Sequence, residues 1–223
     1  MCETLADDMA ELGMARDKIT VHYTGLDRDL FRPMDHVGLK KRLGESFGIP
    51  LAASDTVLVT VGALIERKGQ AFVIKALADL PNARLLLVGA GADETSLRGL
   101  ARQVGVADRV HFLGSLEPAL LPPILSAADA MVLPSASEGL ANAWIEALAC
   151  GTPIVITDAG GAREVVTSPA AGVIVARTCR AVREGIDEVT RNPRPPQTVA
   201  ATVERFSWAA NAAALAAHYD AVA

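Results

Sequence analysis

Thr56-Val57-Leu58-Val59-Thr60-Val61 is the first of six short β-branched or aliphatic runs. The others are Arg84-Leu85-Leu86-Leu87-Val88, Val110-His111-Phe112-Leu113, Met131-Val132-Leu133, Pro153-Ile154-Val155-Ile156 and Gly172-Val173-Ile174-Val175. None alternates cleanly between apolar and polar residues, so each reads as a strand buried on both faces. Helical patterns separate them, the clearest being Leu97, Leu100, Ala101 and Val104 on one face of a 3.6-residue period. A βαβα order of this kind predicts an α/β fold, a Rossmann-like doubly wound parallel sheet of about six strands with helices after it. In such a sheet ligands bind at the C-terminal ends of the strands.

Beyond Val175 the pattern is helical throughout. Cys179, Val182, Ile186 and Val189 form one apolar stripe, and Trp208, Ala212, Leu215 and Tyr219 form another in a terminal helix. Asn192-Pro193-Arg194-Pro195-Pro196 reads as a bend between two helices. The first 55 residues differ: a short helix near Glu3 to Gly13, an isolated strand Ile19-Thr20-Val21-His22-Tyr23, then a polar loop through Gly25, Asp27 and Pro33.

With 223 residues and 51% hydrophobic composition, the chain is long enough to bury a sizeable core. Its 21 basic and 26 acidic residues give a net charge of −5, and the Lys and Arg are scattered, so nucleic acid is not an expected partner. Cys2, Cys150 and Cys179 are odd in number and lack zinc-site spacing, which argues against disulfides and structural metal and points to reducing cytoplasm. The apolar stretches are too short and interrupted to span a membrane, although peripheral attachment at its inner face stays open.

Chemistry concentrates in the stretch from Ser137 to Val155, which includes Glu138-Gly139-Leu140-Ala141-Asn142-Ala143-Trp144-Ile145-Glu146. Glu138 sits in the turn after a strand. Glu146 is the only charge in an otherwise apolar helix ending at Gly151, where a carboxylate is costly unless it finds donors. The helix start near Leu140 to Asn142 offers backbone N–H groups and the positive end of a dipole, a physical reason to expect phosphate there. The alternative is that Glu138 and Asn142 only cap the helix while Glu146 pairs with a core Arg.

Glu138 and Glu146 with the following Ala147-Leu148-Ala149-Cys150-Gly151-Thr152-Pro153 resemble the Glu-x7-Glu signature of the retaining GT-B glycosyltransferases, the glycosyl transferases group 1 family. The likeness extends to Val61-Gly62 with Lys68-Gly69, Leu87-Val88-Gly89-Ala90-Gly91, Ala127-Ala128-Asp129, Leu133-Pro134-Ser135, and Gly160-Gly161 before Glu164. It implies that Lys68 holds a diphosphate, Glu138 a donor-sugar hydroxyl and Glu146 the donor ribose. It also implies that Gly139, Leu140, Ala141 and Asn142 offer backbone or nearby contacts, with Gly62 and Arg67 in the first loop. Leu116, in the loop after Gly114, would lie by the base. Lys68 and Glu138 are the expected catalytic residues, and Lys68 with the helix N-terminus would stabilise the leaving diphosphate without a metal. The donor is expected to be a UDP- or GDP-linked sugar, with no other cofactor. Where the family often carries an arginine, Ala63 stands here; Arg67 is the nearby cation that could substitute, or Lys68 and the helix amides suffice.

The resemblance divides the chain into an interdomain linker region (1–35), a nucleotide-sugar donor domain (36–205) and a terminal helix packing toward an N-terminal half (206–223). That half would bind a saccharide or lipid-linked acceptor, and the loop patterns look most like the bacterial surface-polysaccharide branch. The isolated chain is then expected to be inactive in transfer. A non-catalytic nucleotide-sugar-binding module and a GT-B epimerase are the rival readings. Gly89-Ala90-Gly91 lacks the third glycine of a dinucleotide fingerprint, and His22, His36, His111 and His218 are too dispersed to form a site. Trp144 and Trp208 each fall on an apolar helical face, where packing rather than sugar stacking is the expected role, and the stripe from Trp208 to Tyr219 is expected to form an exposed apolar patch where an N-terminal half would dock.

Overall fold

A computed structural model of the chain describes residues 2–35 and 38–222. His36 and the start of the expected donor domain therefore lie outside the described residues. The strands are β1 (Thr56–Val61), β2 (Ala83–Val88), β3 (Val110–Gly114), β4 (Ala130–Leu133), β5 (Ile154–Thr157) and β6 (Gly172–Val175). The helices are α1 (Glu3–Glu11), α2 (Leu39–Phe47), α3 (Gln70–Ala76), α4 (Glu94–Gln103), α5 (Leu121–Ala127), α6 (Asn142–Ala149), α7 (Ala162–Val165), α8 (Cys179–Arg191), α9 (Pro196–Ala201) and α10 (Trp208–Val222).

The strands form one sheet in the order β3-β2-β1-β4-β5-β6, and every neighbouring pair is parallel. Successive strand residues face opposite layers, as the two-residue period requires. Val57, Val59, Met131, Leu133, Ile154 and Ile156 pack with Leu43 of α2, Ile124 of α5, Trp144 and Leu148 of α6 and Val199 of α9. Leu58, Leu85, Leu87, Val132 and Val155 point the other way, onto Ile74 of α3, Leu97 and Ala101 of α4, and Val182 and Ile186 of α8. Both faces are thus covered, which is why the strands read as unbroken apolar runs.

Two side chains pair buried polar groups where strands begin and where they adjoin. Thr60 Oγ1 donates to the Val132 carbonyl across the β1/β4 seam at 2.8 Å. Below it, Asp129 Oδ2 accepts from the Val57 amide and from Lys40 Nζ, each at 2.7 Å, tying α2 to the start of β1 and β4.

One expectation fails. The segment Ile19 to Tyr23 is not a strand: no neighbouring strand pairs with it, and without a ladder its backbone has no sheet to join. It runs instead beside α7 and α10, where the Tyr23 hydroxyl meets Glu164 Oε2 at 2.6 Å and the ring stands edge-on to Phe206. Trp208 lies on the exposed stripe expected of the terminal helix. It is 59% exposed, with Leu215 and Tyr219 also open on α10, because this helix touches the body through its first turns, at Gly25 and through Asn211 to the Tyr23 carbonyl. Trp144, by contrast, is fully buried, as expected.

Asp129→Ala should strand the buried Val57 amide and release Lys40, costing about 1–3 kcal/mol. Asp129→Asn, which keeps an acceptor, should cost less. Urea denaturation of the three proteins checks this, and equal midpoints would show that the carboxylate does not brace the sheet.

Candidate functional site

β1 and β4 lie side by side in the middle of the sheet, but the chain leaves them in opposite directions. β1 leads to α3 on one face and β4 leads to α6 on the other, so a crevice opens at their C-terminal ends, the usual ligand position in open α/β sheets. The loop after β1 carries Gly62, Ala63, Arg67 and Lys68. The loop after β4 carries Glu138, Gly139, Leu140 and Ala141.

The two loops meet in an ion pair: Lys68 Nζ lies 2.6 Å from Glu138 Oε1, with the side chains 14% and 8% exposed. Two charges so far from water need each other, since either one alone would pay a desolvation penalty. Arg67 stands at the rim, 3.7 Å from Glu138 Oε2, and its guanidinium also donates to the Ser137 carbonyl. Gly62 lies under the Lys68 stem, where an added Cβ would fall 3.7 Å from Lys68 Cε.

A third loop supports the second. The Gly161 amide donates to the Gly139 carbonyl at 2.9 Å. Gly160, at φ 52°, comes so near that a Cβ there would sit 2.1 Å from the Glu138 carbonyl oxygen. Only glycine allows that approach and that backbone without strain.

Ala141 occupies the position before α6 with φ −74° and ψ 119°, a conformation open to alanine, and no side chain caps the helix. Asn142, the first residue of α6, is exposed. One turn on, Glu146 is half-buried, and burial raises its pKa above the ordinary carboxylate value. It has no ion pair or side-chain hydrogen bond among the described residues. The alternative in which Glu138 and Asn142 cap α6 and Glu146 pairs with a core arginine is therefore not what the structure contains.

The structure thus brings Gly62, Arg67, Lys68, Glu138 and Gly139 together, with Leu140, Ala141 and Asn142 leading into the helix that carries Glu146. Leu116, in the loop after β3, packs on the same apolar layer as Leu140 and Ala141. Two residues with no role in the sequence reading also shape the crevice. Gln70 is 1% exposed and donates from Nε2 to the Ala63 carbonyl at 2.9 Å, fixing the first loop. Arg177, just after β6, reaches both loops. A buried glutamine in the first turn of a helix and an arginine after an edge strand carry no motif by which sequence could mark them. Among the described residues, no group of three or more His, Cys, Asp or Glu side chains could hold a metal ion. No helix is long and apolar enough to cross a membrane.

Residues 42–206 match the family described as glycosyl transferases group 1. A D-inositol 3-phosphate glycosyltransferase of Segniliparus rotundus is 33% identical over 217 residues, covering 92% of this chain and 47% of that protein. A GDP-mannose-dependent monoacylated alpha-(1-6)-phosphatidylinositol monomannoside mannosyltransferase of Corynebacterium glutamicum is 37% identical over 166 residues, 68% of this chain and 41% of the relative. The crystal structure of HepE from Anabaena in complex with UDP and glucose superposes with a TM-score of 0.86 over 98% of this chain and 61% of that one, at 23% identity, and so shares its fold. The chain spans about half the length of the curated relatives it matches.

The raised Glu146 pKa has a consequence for stability. Above the ordinary carboxylate value of about 4.3 the unfolded chain gives up this proton while the folded chain still holds it, so stability falls as pH rises between the two values. Glu146→Gln, which cannot ionise, should therefore gain stability relative to the parent as pH climbs from about 4 to 7. Urea denaturation of both proteins across that range reads the difference; a flat difference would mean that the carboxylate is well solvated.

Proposed function

The chain belongs to the glycosyl transferases group 1 family, and on that premise we propose that it is the nucleotide-sugar donor-binding domain of a retaining glycosyltransferase. The observation that carries this reading is the Lys68–Glu138 pair in the crevice between β1 and β4, beside the uncapped start of α6. The donor diphosphate lies against Lys68 and Arg67 and the first amides of α6, where a helix N-terminus favours negative charge. Glu138, freed from Lys68, accepts from a hydroxyl of the donor sugar. Glu146 accepts from the ribose, which supplies the donors its half-buried carboxylate lacks.

In this reading the bond between the sugar and the diphosphate breaks as charge builds on the departing phosphate. Lys68 and the helix amides oppose that charge in a site already shielded from water, so their stabilisation grows toward the transition state. The neutralisation is assigned to these groups alone, without a divalent cation. Transfer proceeds with retained anomeric configuration to a hydroxyl of a saccharide or lipid-linked acceptor held by a second domain, in the making of cell-surface glycoconjugates or polysaccharides. Relatives named for inositol phosphate and for a phosphatidylinositol mannoside support a hydroxyl-rich acceptor of this kind. The open Trp208, Leu215 and Tyr219 on α10 suit coverage by that second domain. A non-catalytic nucleotide-sugar-binding module is the second reading, favoured by Ala63 standing where the family often has an arginine. Binding without turnover once an acceptor domain is supplied would select it.

Calorimetric titration of the chain with UDP, GDP and ADP, without added metal, tests the donor site. One nucleoside diphosphate should bind saturably, and Lys68→Ala should weaken it by at least ~10-fold, the scale of one charge-assisted hydrogen bond. Glu138→Gln should act in the opposite direction and tighten the bare diphosphate, because the lysine it occupies is released. If folded protein binds none of the three nucleotides, the donor reading fails.

A further inference from the structure

Arg177 lies in neither loop of the crevice, yet it holds both. Its Nε donates to the Pro134 carbonyl at 3.0 Å, in the loop that carries Glu138. Its Nη2 donates to the Glu66 carbonyl at 2.8 Å, two residues before Lys68. The guanidinium carbon lies 4.8 Å from the centre of the Phe72 ring on α3, so the ring backs the fork from behind. The same Pro134 carbonyl presses on Gly69, where a Cβ would fall 2.3 Å from its oxygen, and the Ala136 amide donates to the Arg67 carbonyl at 2.7 Å. The seam between the loops is thus drawn to contact distance at Pro134, and one planar group from β6 ties it.

We propose that Arg177 is a positioning residue that sets the separation of Lys68 and Glu138, and through it the width of the diphosphate site; this rests on reading that pair as the donor site. The pair is attached to two loops leaving the sheet toward opposite faces, and nothing in the strands themselves fixes the gap between them. A guanidinium suits the task because two donors on one rigid edge meet two carbonyls at once. A lysine brings the same charge with a single flexible donor group and cannot hold both carbonyls in fixed geometry.

The experiment compares the parent chain with Arg177→Ala and Arg177→Lys by amide hydrogen exchange without ligand and by calorimetry with UDP, GDP and uridine. The Ala136 amide, whose acceptor lies across the seam, should exchange at least ~10-fold faster in both variants, with β1 and α8 amides unchanged. Affinity for the nucleoside diphosphate that the parent binds should fall ~10-fold in both variants, whereas any uridine binding stays as in the parent. In a Lys68→Ala background, the further loss on adding Arg177→Ala should nearly vanish, because the residue acts through Lys68. Full rescue by Arg177→Lys would mean that charge alone matters and would overturn the proposal. Unchanged exchange at Ala136 would overturn it as well, whatever the nucleotides do. If the parent binds no nucleotide, the donor reading fails by itself, and the exchange measurement still decides whether Arg177 ties the loops.

Discussion

Covering both faces of a parallel sheet forces the chain to cross over on both sides, and the place where the direction of crossing changes cannot itself be covered. Here that place is the β1/β4 seam. β1 and β2 send their connections to α3 and α4 on one face, while β3 and β4 send theirs to α5 and α6 on the other. The C-terminal ends of β1 and β4 therefore part, leaving a crevice with backbone on both walls and no helix above. Every residue proposed to touch the donor, apart from Leu116, is on one of the two loops that part or on the helix that follows. The apolar strands are thus the reason the site exists where it does, although none of their side chains takes part in its chemistry.

The crevice contains two carboxylates in contrasting electrostatic states. Glu138 is compensated, with Lys68 at 2.6 Å and Arg67 at 3.7 Å. Glu146 is half-buried without an ion pair, and burial alone raises its pKa. A nucleoside diphosphate sugar carries the complement of both. In the proposed donor complex its phosphates take the place of Glu138 as the partner of Lys68, and its hydroxyls supply the donors that Glu146 lacks. On that reading Lys68 exchanges one partner for another and Glu146 gains donors, while without ligand the buried ammonium of Lys68 is already paired.

How far the sequence reveals this depends on how local each feature is. The strands match their expected ranges to within a residue, because an unalternated apolar run between turn residues has few other uses in a chain of this composition. The Glu138 and Glu146 positions were legible through the resemblance, and eight-residue spacing on one loop and helix is a local property. The contact between Lys68 and Glu138 spans 70 residues and follows only from the strand order. Ile19 to Tyr23 has strand-forming residues but no neighbour to pair with, a fact about the whole fold. The start of α5 at Leu121-Pro122-Pro123 is disguised by prolines, which are compatible with a first turn and with loops alike. In α10 the residues are apolar on nearly every side, so periodicity gives no inward direction there.

Polar groups left without partners are informative only when they converge with something else. Among the described residues, Ser135 Oγ and Trp144 Nε1 are buried without a hydrogen bond, and both belong to the passage from β4 into α6. Arg28 Nη1 and His111 Nε2 are also unpartnered, the one beside α9 and the other on the edge strand β3, so an orphaned atom alone does not mark a site. What separates the β4–α6 passage is coincidence. It holds the most deeply buried carboxylate of an ion pair, a glycine contact with the neighbouring loop, an uncapped helix start and a carboxylate with a raised pKa, all within a dozen residues. Elsewhere the scaffold satisfies comparable demands with groups of its own, as Asp129 does for the Val57 amide and Thr60 for the Val132 carbonyl. In the function proposed above, the open carboxylate of that passage, Glu146, is met by hydroxyls of the donor, and the compensated Glu138 gives up Lys68 to the diphosphate.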